Sequence, residues 1–192
     1  MERVTGAALA RHIPDLARLR IRVFREFPYL YDGDMDYEEN YLRGYVESDS
    51  AVIVIAFAGD EVVGASSGMA LCDESDEFKR PFVEQGRDLN EIFYCAESVL
   101  DAPWRGRGLG HRFFDEREAH ARDLGGFTRA AFCAVDRPAD HPRRPADHRP
   151  LDAFWQRRGY SRHPELTTRF VWKDLDESEP SPKQLTFWLK TL

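Results

Sequence analysis

The chain is poor in cysteine and has no long apolar run. Its three cysteines, Cys72, Cys95 and Cys133, are odd in number and form no CxxC pair. That argues against a disulfide framework or a cysteine-paired zinc site and fits buried thiols in a reducing compartment. No stretch approaches the roughly 20 apolar residues of a membrane-spanning helix. Residues 1–15, MERVTGAALARHIPD, lack a secretory apolar core, because arginine and proline interrupt it. A cytoplasmic protein without a membrane partner is expected. Positive charge is also short: 27 Lys and Arg against 34 Asp and Glu leave a net charge of −7. Such a balance argues against a nucleic-acid binder, which must displace counterions with a basic surface, and suits a small cationic substrate or solubility alone.

What is present reads as one domain over residues 1–192, of α/β class. Residues 14–27 carry Leu16, Leu19, Val23 and Phe27 at helical spacing behind Pro14. YLYDGDMD (29–36) reads as a loop and 37–48 as a second helix. AVIVIAF (51–57) and VVGASSGMAL (62–71) form a hairpin around AGDE. Residues 73–90 are polar, helical in part and expected at the surface. EIFYCAESVL (91–100) is nearly continuous in apolar residues, the mark of a central strand covered on both faces. A helix over 108–124 follows. Wound at about 100° per residue, it gathers Leu109, Gly110, Phe113, Phe114, Ala121 and Leu124 on one side, with Arg117 in their midst and His120 at the edge. FTRAAFCAV (127–135) is another buried strand. The prolines of 137–150 forbid regular structure. LDAFWQRRGY (151–160) is a short helix ending at Gly159, and LTTRFVWKDL and QLTFWLKTL are late strands. Helices and strands without strict alternation predict a mixed sheet.

The stretch PWRGRGLGHRFF (103–114) holds the strongest chemical signal. It lacks the lysine and Ser/Thr of a Walker A loop. It also has His111 where the third glycine of a dinucleotide fingerprint belongs, which makes a dinucleotide-binding oxidoreductase a distant alternative. Its N–H groups from residues 106–111 nevertheless open a helix, where unpaired donors and the helix dipole favour an anion. Glycine there lets the backbone approach a diphosphate closely.

The order R-G-R-G-L-G resembles the R/Q-x-x-G-x-G/A signature of the GNAT superfamily of N-acetyltransferases, with Arg105, Gly108 and Gly110 at the defining positions. ESVLDAPWRGRGLGHRFFDEREAHARDLG resembles that family's fourth strand, pyrophosphate loop and third helix, and LDAFWQRRGY its later A-x-x-F-Y-x-x-x-G-F/Y block. The resemblance implies a mixed central sheet with splayed fourth and fifth strands flanked by helices. It implies acetyl-CoA as cosubstrate, with its diphosphate on Arg105, Gly106, Arg107, Gly108, Leu109, Gly110 and His111. Its pantetheine arm would lie along Ser98, Val99 and Leu100, with Phe154 and Trp155 nearby. A backbone N–H of that strand would polarise the acetyl carbonyl.

A protonated amine acceptor needs a base. Glu97 is the candidate: it lies in the central strand, where Phe93, Cys95 and Val99 share its face, and a carboxylate there needs a partner or a task. Pairing with an arginine such as Arg117 is the structural alternative, and Glu91 a weaker base. Arg117 itself either contacts the cofactor or a carboxylate, or lays its stem along the helix face and reaches water. The family's usual acid is the tyrosine of its late helix, a position held here by Trp155, whose indole N–H cannot protonate a thiolate. Tyr94, Tyr160 or solvent would then serve. Cys133 reads as core. The loop over 29–39 interleaves Tyr29 and Tyr31 with Asp32 and Asp34, which suits a cationic acceptor or a solvated acidic loop. The tandem RPADHPR–RPADHRP (137–150) matches no metal spacing and is expected at the rim of the acceptor cleft. The function expected is N-acetyl transfer to a small-molecule amine by direct attack, in a monomer or homodimer without metal. A non-catalytic acyl-CoA-binding module is the alternative that Trp155 motivates.

Overall fold

The β-branched run after residue 51 owes its composition to burial on both sides. Ile53 and Ile55 pack with Leu16 and Leu19, while Val52, Val54 and Ala56 pack with Phe113 and Phe114. A strand covered on both faces has no polar alternation to show. The computed structural model describes residues 1–192. Its elements are β1 (Glu2–Val4), α1 (Ile13–Phe24), α2 (Met35–Glu47), β2 (Val52–Ala58), β3 (Glu61–Ala70), α3 (Asp76–Glu84), β4 (Ile92–Leu100), α4 (Leu109–Leu124), β5 (Arg129–Val135), α5 (Asp152–Arg157), β6 (Ser161–Trp172) and β7 (Ser181–Thr191). The strands form one mixed sheet in the order β1-β2-β3-β4-β5-β7-β6. β4 and β5 run parallel and every other neighbouring pair is antiparallel. No helix is long and apolar enough to cross a membrane.

Several elements differ from expectation for identifiable reasons. Helix α1 stops at Phe24, so Phe27 lies outside it; the proline that follows disfavours a helical conformation at that residue. Residues 73–90 are not merely surface, because α3 buries Phe78 and Phe82 against the β6–β7 side of the sheet. Leu124, expected on the packed face of α4, is 45% exposed at the helix end. Strand β6 begins at Ser161, before the expected Leu166, and passes Pro164 through an irregularity between His163 and Thr167, where no ladder donor is required. The short β1 was not foreseen.

Two features of β4 position the site. It pairs with β5 only over Ile92–Tyr94, while β5 continues along β7 to Val135. The two strands therefore part beyond Tyr94. On its other edge, Ser67 pairs with Glu97 but Met69 with Tyr94, so Cys95 and Ala96 together face the single residue Gly68. This β-bulge shifts the alternation of the strand. Phe93 and Cys95 pack toward α4, whereas Val99 packs toward α1. The expectation that Glu97 shares a face with Phe93 and Cys95 is thereby corrected. Glycine is required at position 68, because a Cβ there would lie 2.6 Å from the Phe93 ring.

Candidate active site

The loop into α4 adopts a conformation that only glycine takes easily. Gly106 and Gly108 have φ of +74° and +80°, in the left-handed region, and a Cβ at either would meet nothing within 4 Å. No carbonyl accepts from the N–H groups of Gly106 through Gly110. Gly108, the N-cap, supplies no side-chain cap, and its carbonyl accepts from His111 at 3.1 Å and Arg112 at 3.3 Å. The His111 N–H is thus turned into the helix, and the donors left open are those of residues 106–110. Of the arginines, Arg105 is fully engaged: its Nε donates to the Leu100 carbonyl at 2.9 Å, and its two terminal nitrogens hold Glu26 at 2.7 and 3.0 Å. Arg22 grips Asp101 in the same bidentate manner at 2.7 and 2.6 Å. These two pairs tie α1 to the end of β4. Arg107 lies over the Trp104 ring at 4.8 Å and has no carboxylate partner.

The β4 backbone beside this loop has a defined orientation. Asp101 donates to the Val63 carbonyl at 3.0 Å, so in the antiparallel ladder Val99 also turns its backbone toward β3. Ser98 and Leu100 turn theirs away, toward the gap left by β5.

On the face of α1 and α2, a cavity of about 420 Å³ reaches from the surface down to Ala96 and Glu97. Its inner end carries charge. Arg20, buried on α1, contacts the Glu38 carboxylate through Nε and that of Glu97 through Nη1. The Arg20 guanidinium also lies over the Tyr41 ring at 4.3 Å. Glu38 is fully buried and its Oε1 has no hydrogen-bond partner. Glu97 is therefore paired with Arg20 and not with Arg117. The same cavity contains Tyr29, Tyr31, Asp32 and Asp34. Asp32 accepts from Lys173 at 2.9 Å, and Asp34 caps α2 by accepting from the Tyr37 N–H at 3.0 Å.

Three solved structures share this architecture. A ribosomal-protein-alanine N-acetyltransferase from Brucella melitensis superposes with a TM-score of 0.64 at 15% identity, covering 100% of both chains. An acetyltransferase of the GNAT family from Streptococcus pneumoniae does so with 0.58 at 15% identity, again covering 100% of both. The acetyl transferase of Salmonella typhimurium that modifies the N-terminal serine of 50S ribosomal subunit protein L7/L12 gives 0.60 at 12% identity, covering 99% of this chain and 94% of its own. The fold is that of the GNAT acetyltransferases. No protein-family model and no curated protein matches the sequence, and identities this low speak for the fold and not for the substrate.

GNAT enzymes draw their acetyl group from acetyl-CoA, and the open donors of residues 106–110 with their two left-handed glycines suit its diphosphate. No group of three His, Cys, Asp or Glu side chains is arranged to hold a metal ion. Around this GNAT framework the remaining candidates separate. Phe154 packs its ring 4.8 Å from that of His111 and 3.6 Å from a Cβ position at Gly110, at the α4 start. Trp155 packs against Phe132 and Trp188, at ring separations of 5.0 and 5.1 Å, in the α4-side core. Tyr160 is also on that side, and its hydroxyl donates to the buried Glu118 at 3.1 Å. Tyr94 instead lines the cavity, with its hydroxyl 3.0 Å from Cys133 Sγ. Burial holds the Tyr94 phenol well above its ordinary pKa and pushes the Cys133 thiol up to about 12. Glu91 sits at the far end of β4, accepting from Thr128 at 3.2 Å.

The tandem repeat is not at the cavity wall: no residue of 137–150 lines it. Arg137 instead anchors the segment behind that wall, donating to the carbonyls of Pro28 and of the lining residue Tyr29 at 2.7 and 2.8 Å and lying over the Trp172 ring. His141 and His148 then both pack against the Phe27 ring. The wall is supplied by the β6–β7 hairpin, through Phe170, Trp172 and Leu185, which sequence reasoning missed. Arg20 and Glu38 were missed as a pair as well. An arginine on the apolar side of an amphipathic helix was the available signal.

Proposed function

We propose that this chain transfers the acetyl group of acetyl-CoA to a primary amine bound in the cavity above Glu97. The observation that carries the reading is the run of unpartnered N–H groups from Gly106 to Gly110, opening a helix directly after the splayed strand. These donors and Arg107 receive the diphosphate, and the gap between β4 and β5 receives the pantetheine arm along Ser98 to Leu100. The amine nitrogen attacks the thioester carbon, a C–N bond forms and the C–S bond breaks. The Ser98 N–H, turned toward the gap, stabilises the oxyanion. Glu97 accepts the proton that the ammonium must lose before attack. Of Tyr94 and Tyr160, Tyr94 is the one on the cavity side; burial keeps its phenol protonated, so that it offers a hydrogen bond to the departing thiolate, which takes its proton from the attacking nitrogen.

A second reading, a non-catalytic acyl-CoA-binding module, is favoured by one observation: Trp155 and Tyr160 both face the α4-side core and offer no acid to the cavity. Release of free CoA from acetyl-CoA in the presence of a primary-amine panel separates the two. Amine-dependent release supports transfer, and tight acetyl-CoA binding without release for any amine supports the module.

A further inference from the structure

The charge and walls of the cavity define its acceptor more narrowly, on the basis of the acetyl-transfer reading above. At the inner end one guanidinium, Arg20, meets two carboxylates, Glu38 and Glu97. One negative charge is left over. A buried carboxylate oxygen without a partner, such as Glu38 Oε1, is costly unless a cation or donor reaches it. At the mouth, Asp32 is matched by Lys173 and Asp34 is engaged as a helix cap. The cavity therefore calls for one added positive charge at depth.

The walls around that charge are mainly aromatic. Phe24, Phe78, Phe170 and Trp172 present rings to the cavity, and the Trp172 Nε1–H already donates to the Tyr29 carbonyl at 3.1 Å. A polypeptide N-terminus would bring several amide groups to walls whose polar atoms are few and partly engaged, Tyr94 with Cys133 and Tyr41 with Tyr45, at about 1–3 kcal/mol for each group left unsatisfied. A polyamine would bring two or more further charges, and only Asp34, already capping α2, is without a cation to meet them. A volume of about 420 Å³ lies at the small end of the roughly 300–1,000 Å³ typical of small-molecule pockets.

We infer that the acceptor is a small monoamine with an aromatic or branched apolar body, its ammonium received beside the Arg20–Glu38–Glu97 cluster and its body held among the rings. Glu38 holds the cation, and Glu97 takes one proton from it. The neutral nitrogen then forms the amide bond, and the second proton it loses balances the thiol of free CoA.

The test compares 2-phenylethylamine, spermidine and an alanine-initiated tetrapeptide as acceptors for the wild-type chain, reading CoA release. The expected kcat/KM for 2-phenylethylamine is at least tenfold above both others. Glu38→Gln should raise its KM at least tenfold while leaving acetyl-CoA affinity within twofold. Equal or faster acetylation of spermidine or the peptide overturns the inference and leaves acetyl transfer standing. If no amine releases CoA, the transfer reading fails. The cavity is then judged by calorimetry with 2-phenylethylamine against its neutral counterpart 2-phenylethanol. Binding of the amine at least tenfold tighter upholds the cation site, and anything less overturns it.

Discussion

The Nη1 of Arg117, on α4, donates to the carbonyl oxygen of Glu97 at 2.9 Å and to that of Ser67 at 3.1 Å, while its Nε reaches the Phe113 carbonyl at 3.3 Å. The side chain is 2% exposed and has no carboxylate partner. It neither contacts a carboxylate nor reaches water, two of the outcomes its sequence position suggested. Instead it clamps the β3–β4 pair at the edge of the bulge and polarises the peptide that joins Glu97 to Ser98.

Replacing Arg117 with Met should leave these carbonyls short of a donor and lower unfolding stability by about 1–3 kcal/mol. It should also reduce kcat more than it raises KM for acetyl-CoA, because the peptide proposed to face the reacting carbonyl is disturbed and the loop proposed for the diphosphate is not. Urea unfolding and steady-state kinetics check both. Wild-type stability together with wild-type kcat would remove Arg117 from any role.

Gly108→Val should weaken acetyl-CoA at least tenfold, or about 1.4 kcal/mol. A β-branched residue is strained at a φ of +80°, and its side chain would project into the open space proposed for the diphosphate. Calorimetry on the folded variant decides this; unchanged affinity would move the diphosphate away from the loop.

Glu97→Gln should lower kcat by roughly 10²–10⁴-fold, the range for one acid–base group, and flatten the acidic limb of the pH–rate profile. Acetyl-CoA affinity should stay near wild type. A normal kcat with an unaltered profile would reduce Glu97 to a partner of Arg20.

Arg20→Met should be among the most damaging single changes, destabilising the chain by about 3–5 kcal/mol, the cost of breaking a buried ion pair from one side. Neutralising Asp32 should leave the acceptor KM within twofold, because that carboxylate already serves Lys173. Removing the cap with Asp34→Ala should cost about 0.5–2 kcal/mol of stability. Thermal unfolding and acceptor titrations distinguish these effects.

Acid should loosen the β6–β7 hairpin that walls the cavity. The hydrogen bond from Lys183 Nζ, then that from the Ser181 hydroxyl, hold the Glu177 carboxyl down at about 2. A depressed carboxyl contributes stability above its unfolded pKa of about 4.3, and this is lost as pH falls from there through the folded value. Between those limits the wild-type chain should lose more stability than Glu177→Gln; parallel pH profiles would contradict the linkage.

The sequence by itself determined the mixed α/β order, the central β4 and the glycine loop, because those depend on local rules. Alternation, helix periodicity and left-handed glycines act within a few residues, and Gly106, Gly108 and Gly110 carry the loop wherever it is placed. What only the tertiary structure decided is which side chains meet. The extra residue at Cys95–Ala96 turns Glu97 to the α1 face, and it arises from pairing with Gly68, a residue far away in the chain. Arg20, Glu38 and Glu97 belong to three different elements and converge only when α1 and α2 cross β4. Asp32 and Asp34, adjacent in an acidic loop that looked free, are matched by Lys173 and by a helix terminus. A charge's availability depends on its partner across the fold, and no local pattern encodes that partner.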